Sequence, residues 1–200
     1  NYARWIERLH GSATVVAPES RGYVDHSEFD VLRFRAVPLP QMKPFRAGIP
    51  WLDPSFMKEF RSTQFDIVHA HCPFVSGRLA RGLSRRRRVP MIATFHSKYR
   101  DDFLTFSGSP TIAGIGVRYV VSFYGKATQV WAPNRATART LSDYGFRGSV
   151  EVVPNGTDLE TPGNRERARL AERGRKELGI EDPSMPIYLF VGQHRWEKNR

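Results

Sequence analysis

The chain has 200 residues, and its 31 Lys and Arg against 20 Asp and Glu give a formal net charge of +11. Hydrophobic residues make up 40% and aromatic residues 12% of the sequence, which excludes a disordered chain and allows a substantial core. The single cysteine, Cys72, excludes an internal disulfide framework and a four-cysteine zinc site. No apolar run approaches the ~20 residues that span a bilayer.

Short apolar runs alternate with helical patterns along the chain. Strands are predicted at residues 13–17, 31–36, 67–70, 91–95, 129–132, 150–153 and 187–191. Helices are predicted at residues 1–9, 54–60, 76–83, 112–124, 135–144 and 165–178. Asn134 is the predicted N-cap and Gly145 the predicted C-cap of the fifth helix. The predicted fold class is α/β, a parallel sheet with helices on both faces and ligands at the carboxyl ends of its strands.

Two stretches interrupt this alternation. Residues 38–54 contain five prolines together with Phe45, Arg46 and Trp51, and they are predicted to form a long surface loop. Residues 154–164 are rich in Pro, Gly and Asn and are predicted to be a domain linker that leads into a solvated helix.

Three of the six histidines fall where two predicted strands end. His69 and His71 are two residues apart, so they point to the same side of an extended chain. His69 is interpreted as a hydrogen-bonded core residue, and zinc binding is disfavoured because further ligands are missing. His96 is predicted to be functional, because the polar, basic and aromatic groups that follow it can hydrogen-bond a sugar hydroxyl or a phosphate. These groups are Ser97, Lys98 and Tyr99.

Residues 67–100 contain no acidic residue and eight basic ones. Each Lys or Arg near an anionic bilayer contributes roughly 1 kcal/mol of attraction, so the segment predicts contact with a membrane surface. Two alternatives stay open, nucleic-acid binding and a solvated helix end that keeps the protein soluble. The residues predicted to face the membrane are Arg78, Arg81, Arg85, Arg86, Arg87 and Arg88.

The predicted strand at residues 187–191 is followed by Gly192 and by a basic loop that includes Lys198. Glycine lets the backbone approach a ligand closely, and a lysine supplies a point charge for a diphosphate. The pattern therefore predicts a phosphate-binding turn.

Four segments, in this order, resemble glycosyltransferase family 4, the retaining, nucleotide-sugar-dependent enzymes with two facing Rossmann-like domains (the GT-B fold). Within the family the resemblance is closest to bacterial transferases of lipid acceptors, such as the diacylglycerol glucosyltransferases and the phosphatidylinositol mannosyltransferases. The segments are Phe65-Asp66-Ile67-Val68-His69-Ala70-His71, Ala93-Thr94-Phe95-His96-Ser97, Val153-Pro154-Asn155-Gly156-Thr157-Asp158, and Phe190-Val191-Gly192 with Glu197-Lys198.

The resemblance implies roles for individual residues. His96 is expected to contact the donor sugar and to position it for front-face transfer. Lys198 is expected to bind the donor diphosphate, and a fixed cation of this kind stabilises the leaving group without a metal or cofactor. The family's usual arginine after the glycine is replaced by Gln193. The further donor-diphosphate residues expected are Gly192 and Arg195, and the expected acceptor-binding residues are Ser97, Lys98, Tyr99 and His71.

The resemblance also implies a domain organisation in which the chain is a fragment. Residues 1–160 are expected to form an N-terminal, acceptor-side Rossmann-like domain without its first strand. Residues 161–186 are expected to be the linker and a solvated helix, and residues 187–200 the truncated start of a C-terminal donor-binding domain. A fragment of this kind is expected to be inactive alone.

The function predicted for the parent protein is transfer of a hexose from a nucleotide diphosphate sugar to a lipid or polyol acceptor at the cytoplasmic membrane surface. The proline-rich loop would help to receive the acceptor, an anionic membrane would be a partner, and no nucleic acid is expected. One alternative is a non-catalytic basic α/β module that binds phosphate-rich polymers such as nucleic acid. Another keeps the fold but uses a soluble sugar or polysaccharide acceptor.

Overall fold

A computed structural model of the chain describes residues 2–20, 22, 24–39, 46–157, 161–182 and 184–188. The chain forms two compact units, residues 1–157 and residues 158–200. The elements of the first unit are α1 (Tyr2–Leu9), β1 (Thr14–Pro18), β2 (Asp30–Phe34), β3 (Ala36–Pro38), β4 (Arg46–Gly48), a 3-10 helix (Pro50–Leu52), α2 (Pro54–Ser62), β5 (Val68–Ala70), α3 (Val75–Arg87), β6 (Met91–Thr94), α4 (Tyr99–Ser107), α5 (Pro110–Tyr124), β7 (Gln129–Ala132), α6 (Arg135–Asp143) and β8 (Glu151–Val152).

The centre of the first unit is a four-stranded parallel sheet in the order β5-β6-β7-β8. Helices connect each strand to its neighbour, as parallel strands require. The four predicted strands of this sheet agree with the structure to within about one residue, because buried apolar runs bounded by turn residues are a clear signal. The strand predicted at residues 31–36 is instead divided between β2 and β3. The α/β fold class is confirmed.

The remaining strands form two smaller sheets, a parallel pair β1-β2 and an antiparallel pair β3-β4. The second pair corrects the prediction that residues 38–54 form only a surface loop. Pro38 ends β3, while Pro50 and Pro54 occupy the first positions of helices, where a missing backbone N–H costs nothing. The buried Asp53 caps α2 by accepting a hydrogen bond from the Phe56 amide.

Two helices depart most from the prediction. Helix α3 continues to Arg87, four residues beyond its predicted end, and Arg88 closes it in the left-handed conformation with φ of 58°. Helix α4 was not predicted, because Lys98 precedes it without a side-chain cap. The predicted N-cap of α6 is confirmed, since Asn134 accepts from the Thr137 amide at 2.8 Å. The C-cap is Tyr144, and Gly145 follows it in the left-handed conformation with φ of 98°.

Two clusters of buried side chains form the core of the first unit. One surrounds the four-stranded sheet and is rich in aromatic residues from β6, α5 and the turn after α6. The other joins β2 to α2 and α3. Val68 of β5 packs against both clusters, so they support a single domain. The large members are Phe95, Tyr99, Phe123, Tyr124 and Phe146 in the first cluster, and Phe34, Phe56, Phe60, Leu79 and Leu83 in the second.

The second unit contains α7 (Asn164–Glu177), which has no buried residue. Arg173 and Glu177 form an ion pair one turn apart on its surface, as predicted for a solvated helix. Ile187 and Tyr188 lie outside any helix or strand, and the rest of the predicted strand at residues 187–191 lies outside the described residues. Among the described residues, no helix is long and apolar enough to cross a membrane.

Candidate functional site

Three histidines meet at the carboxyl edge of the four-stranded sheet, as the sequence predicted. His69 and His71 follow one another on the same side of β5, and their ring centroids are 4.1 Å apart. The Nε2 of His69 is 2.7 Å from the hydroxyl of Thr94, the last residue of β6. The prediction that His69 is hydrogen-bonded is therefore confirmed.

His71 and His96 form the exposed part of this cluster. The Nδ1 of His71 lies 3.0 Å from the Nε2 of His96, and the two rings stack with centroids 5.4 Å apart. A hydrogen bond between two ring nitrogens needs one protonated and one bare nitrogen. The pair therefore excludes a doubly protonated state and orients the His96 ring.

Burial keeps all three imidazoles neutral at pH 7. It lowers the pKa of His69 to about 3, and positive charge on His71 or His96 would lower it further. Burial likewise lowers the pKa of His71, helped by repulsion from His96, and the pKa of His96. In either tautomer one ring N–H of the exposed pair stays free, on His96 Nδ1 or on His71 Nε2, and it can donate to a ligand.

Behind the histidines, buried hydroxyl groups lie close to the end of β6. The Tyr124 hydroxyl donates to the Thr94 carbonyl at 3.1 Å. The Tyr99 hydroxyl lies near the side chains of Tyr124 and Ser97, and both of them influence its pKa. Burial raises the pKa of Tyr99 to about 12 and that of Tyr124 further, so both phenols stay protonated.

This arrangement changes the expected part of one residue. Tyr99 was predicted to bind the acceptor, but its side chain is only 7% exposed and packs between Phe95 and Phe103. Tyr99 is therefore a core residue, and the Ser97 side chain adjoins its hydroxyl.

Replacing Tyr124 with phenylalanine is expected to destabilise the protein by about 1–3 kcal/mol, because the buried Thr94 carbonyl loses its hydrogen bond from the Tyr124 hydroxyl. Urea unfolding of the full-length protein measures the change. Tyr119→Phe is the matched control: its hydroxyl donates to the Pro73 carbonyl at 3.0 Å from a more exposed ring, so its loss costs less. Equal effects of the two variants would contradict a stabilising hydrogen bond from the buried Tyr124 hydroxyl.

The structure places the other predicted residues as follows. Lys98 is exposed beside His96, at the start of α4. Gly192, Arg195 and Lys198 lie outside the described residues. Arg46 is held within the β3-β4 pair, where it donates to the Ala36 carbonyl and forms an ion pair with Glu19 at 3.6 Å.

The arginines of α3 do not form one uniform patch. Arg78, Arg81 and Arg85 follow the spacing i, i+3, i+7 and share one face of the helix, here called the arginine stripe. The guanidinium of Arg78 lies over the Trp51 ring, 4.9 Å from its centroid. Arg87 instead donates to the Arg61 carbonyl at the end of α2, at 2.6 Å. Arg86 and Arg88 are exposed at the end of the helix.

Two aromatic residues near the histidines were missed by the sequence analysis. The Trp131 ring contacts His69 edge-on, with centroids 5.1 Å apart. The Tyr2 ring lies 5.7 Å from both His69 and His71. Trp131 is opposite Thr94 in the register of β6 and β7, so it could have been found only from the pairing of these strands.

The first unit also contains a cavity that lies apart from the histidines. A cavity of about 800 Å³ is lined by Gly125, Gln129, Arg147 and Glu151, at the amino-terminal edge of the sheet. Among the residues that the structure describes, no group of three His, Cys, Asp or Glu side chains could hold a metal ion.

A parallel α/β domain with polar side chains at the carboxyl ends of its strands defines a Rossmann-like ligand-binding domain. The profile of glycosyltransferase family 4 matches residues 1–161, and the chain belongs to this family.

Curated relatives are similar over much of the chain. An alpha-monoglucosyldiacylglycerol synthase of Streptococcus pneumoniae is 26% identical over 179 residues, 87% of this chain and 40% of the relative. A GDP-mannose-dependent alpha-mannosyltransferase of Corynebacterium glutamicum is 26% identical over 72% of this chain and 36% of its own length. A D-inositol 3-phosphate glycosyltransferase of Frankia alni is 30% identical over 64% of this chain and 31% of its own length. The chain thus spans less than half of these relatives.

Proposed function

We propose that the full-length protein is a retaining GT-B glycosyltransferase that moves a hexose from a nucleotide diphosphate sugar to a lipid acceptor. The observation that carries the proposal is the neutral His71–His96 pair at the carboxyl edge of the sheet, 3.0 Å apart, in a chain of family 4. Ligands of open α/β sheets bind at this edge.

The pair suits recognition of a sugar. A neutral imidazole donates one hydrogen bond to a sugar hydroxyl without placing a charge beside the developing oxocarbenium ion. Ser97 is proposed to accept a hydrogen bond from the incoming hydroxyl. In the proposed step the bond from the anomeric carbon to the diphosphate oxygen breaks while the acceptor oxygen bonds to the same face. The acceptor proton passes to the leaving diphosphate.

No cofactor or metal is part of this proposal. The donor diphosphate is proposed to bind the backbone at Gly192 and the side chains of Lys198 and Arg195, and these two positive charges would stabilise the leaving group. The acceptor is proposed to contact Ser97, Lys98 and His71.

The lipid nature of the acceptor has two supports. One is the similarity to an enzyme named alpha-monoglucosyldiacylglycerol synthase. The other is the arginine stripe together with the excess of basic residues, which suits an anionic membrane surface. The protein is therefore proposed to act at the cytoplasmic face of a membrane as a peripheral protein.

The test is a transfer assay with the full-length protein. UDP-glucose and GDP-mannose would be offered with diacylglycerol, phosphatidylinositol and a soluble polyol, and the product analysed by mass spectrometry and by NMR of the anomeric linkage. Retention and a glycolipid product are expected. A product only with the soluble acceptor would favour the soluble-acceptor alternative. Absence of transfer together with tight, salt-dependent RNA or DNA binding would favour the binding module.

Replacing the arginine stripe with serine (Arg78→Ser, Arg81→Ser, Arg85→Ser) is expected to weaken binding of the full-length protein to anionic vesicles about a hundredfold. Three arginines at roughly 1 kcal/mol each give about 3 kcal/mol. Sedimentation with sucrose-loaded vesicles at low salt measures the partition coefficient.

The matched control removes three exposed cations elsewhere in the same unit: Lys126→Ser, Arg139→Ser and Arg147→Ser. This control lowers the net charge equally and is expected to bind nearly as the wild type does. Equal losses in both variants would show that total charge, and not the stripe, determines vesicle binding.

A further inference from the structure

The hairpin of α4 and α5 carries an unusual surface. Residues 103–117 contain no charged side chain at all, and residues 103–125 contain only Arg118. Large apolar side chains are nevertheless exposed along it, with Phe106 66%, Ile112 54%, Ile115 54% and Leu104 41% accessible. A group of exposed apolar residues without intervening charge indicates an interaction surface.

Helix α5 has two distinct apolar faces. Its core face is buried against the sheet and includes Ala113, Val117, Val120 and Tyr124. Its outer face carries Ile112, Ile115 and Tyr119 at the spacing i, i+3, i+7. A helix that is apolar on both sides needs a second apolar environment besides the core.

The outer face continues to the start of the arginine helix. The Phe74 ring stacks on the Tyr119 ring with centroids 6.4 Å apart, and α3 begins at the next residue, Val75. Phe74 also contacts Tyr99 and Phe103 edge-on. One apolar strip therefore leads from the tip of the hairpin to the helix that bears the arginine stripe.

The hairpin is held rigidly in this position. Gly116 of α5 packs directly on Phe103 of α4, where an added Cβ would lie 2.5 Å from the ring. The turn is closed by Gly108 with φ of 62°, and the Ser109 side chain caps α5 ahead of Pro110. The exposed apolar side chains are thus fixed on a well-formed element that projects from the end of α4.

We propose that the tip of the α4-α5 hairpin inserts into the interfacial region of a phospholipid bilayer, with Phe106, Ile112 and Ile115 among the upper acyl chains. The inference rests on the proposed lipid acceptor and names the surface that reaches it. Basic residues border the apolar strip, Arg118 beside Tyr119 and Lys98 and Arg100 at the base of α4, as anionic headgroups require. Asp101 and Asp102 lie in the first turn of α4, at the end away from the tip.

Insertion of the hairpin would bring a lipid headgroup close to the histidine pair. Helix α4 begins three residues after His96, so a lipid headgroup held at the base of the hairpin lies next to the histidine pair. The apolar tip would keep the acyl chains in the bilayer while the headgroup hydroxyl reaches Ser97. The arginine stripe would contribute long-range attraction, and the hairpin short-range apolar contact.

The test uses the full-length protein and vesicles of phosphatidylcholine with phosphatidylglycerol, at low and at high salt. The hairpin variant is Phe106→Ser, Ile112→Ser and Ile115→Ser. Its control replaces apolar side chains of comparable exposure elsewhere: Leu9→Ser, Val24→Ser and Ile67→Ser, which are 63%, 67% and 53% accessible. The hairpin variant is expected to lower the vesicle partition coefficient at least tenfold at both salt concentrations.

Measurements at two salt concentrations distinguish the contribution of the hairpin from that of the arginine stripe. Screening at high salt removes most of the contribution of the arginine stripe, so the remaining binding is expected to depend on the hairpin. Thr111→Trp, which adds an apolar ring at the exposed tip, is expected to strengthen binding several-fold, with a urea-unfolding midpoint like that of the wild type.

Three results would overturn the inference. If the hairpin variant binds as its control does while the stripe variant loses binding, the hairpin is not inserted, although the proposed function stands. If the wild-type protein binds no vesicle, both fail. If the wild-type protein is a dimer, and the hairpin variant is a monomer that binds vesicles as the wild type does, the strip is an interface between copies of the chain.

Discussion

Replacing His96 with alanine in the full-length protein is expected to lower turnover at least tenfold and to leave the fold intact. The side chain is exposed at the edge of the sheet, so its removal leaves no cavity in the core. What is lost is a positioned hydrogen-bond donor to the proposed sugar, and losses of this kind cost about a hundredfold or more when the donor acts on the transition state. Initial rates at saturating donor and acceptor measure the effect.

The hydrogen bond between His71 and His96 supplies a sharper form of this experiment. If His71 orients His96, the two alanine variants and their combination should show much less than additive losses, because either variant already breaks the pair. His10→Ala, an exposed histidine at the end of α1, is the matched control. Unchanged turnover of His96→Ala would refute the assignment of this residue.

Gly77→Ala is expected to destabilise the protein by about 2 kcal/mol. A Cβ at this position of α3 would lie 2.1 Å from the Cys72 carbonyl oxygen and 2.9 Å from the Phe123 ring. Both neighbours are fixed, one as backbone and the other in the core, so α3 must move away from α5. Overpacking of this kind costs up to about 3 kcal/mol, and the better helix propensity of alanine recovers about 1 kcal/mol at most.

The same helix provides the control. Gly82 is exposed, and an added Cβ there meets nothing within 4 Å. Gly82→Ala should therefore stabilise the protein by about 0.5–1 kcal/mol through helix propensity alone. Thermal or urea unfolding measures both variants. If Gly77→Ala were as harmless as Gly82→Ala, the close contact between α3 and α5 would not exist in solution.

The sequence was sufficient for the sheet and for the meeting of the histidines. Buried apolar runs located the strands of the central sheet, and the rule that parallel strands share a carboxyl edge brought His69, His71 and His96 together.

What was missed depends on contacts distant in sequence. Helix α4 begins without a capping side chain, so it was not predicted, and Tyr99 was expected to bind the acceptor although it is a core residue. The β3-β4 pair was not predicted, because its region is rich in proline and was expected to be a loop. The prolines described there lie where they are tolerated, at a strand end and at helix starts. The different roles of Arg85 and Arg87 follow from the exact end of α3 and from the position of α2, and neither can be obtained from local pattern.

The strand order of the central sheet bears on how the domain folds. Each strand pairs with the next one in the chain, from β5 to β8, so every pairing closes a loop that contains only one or two connecting helices. The entropy cost of closing such a loop grows slowly with its length. Residues 68–152 are therefore expected to open as one cooperative unit and to be the segment most strongly protected in hydrogen exchange.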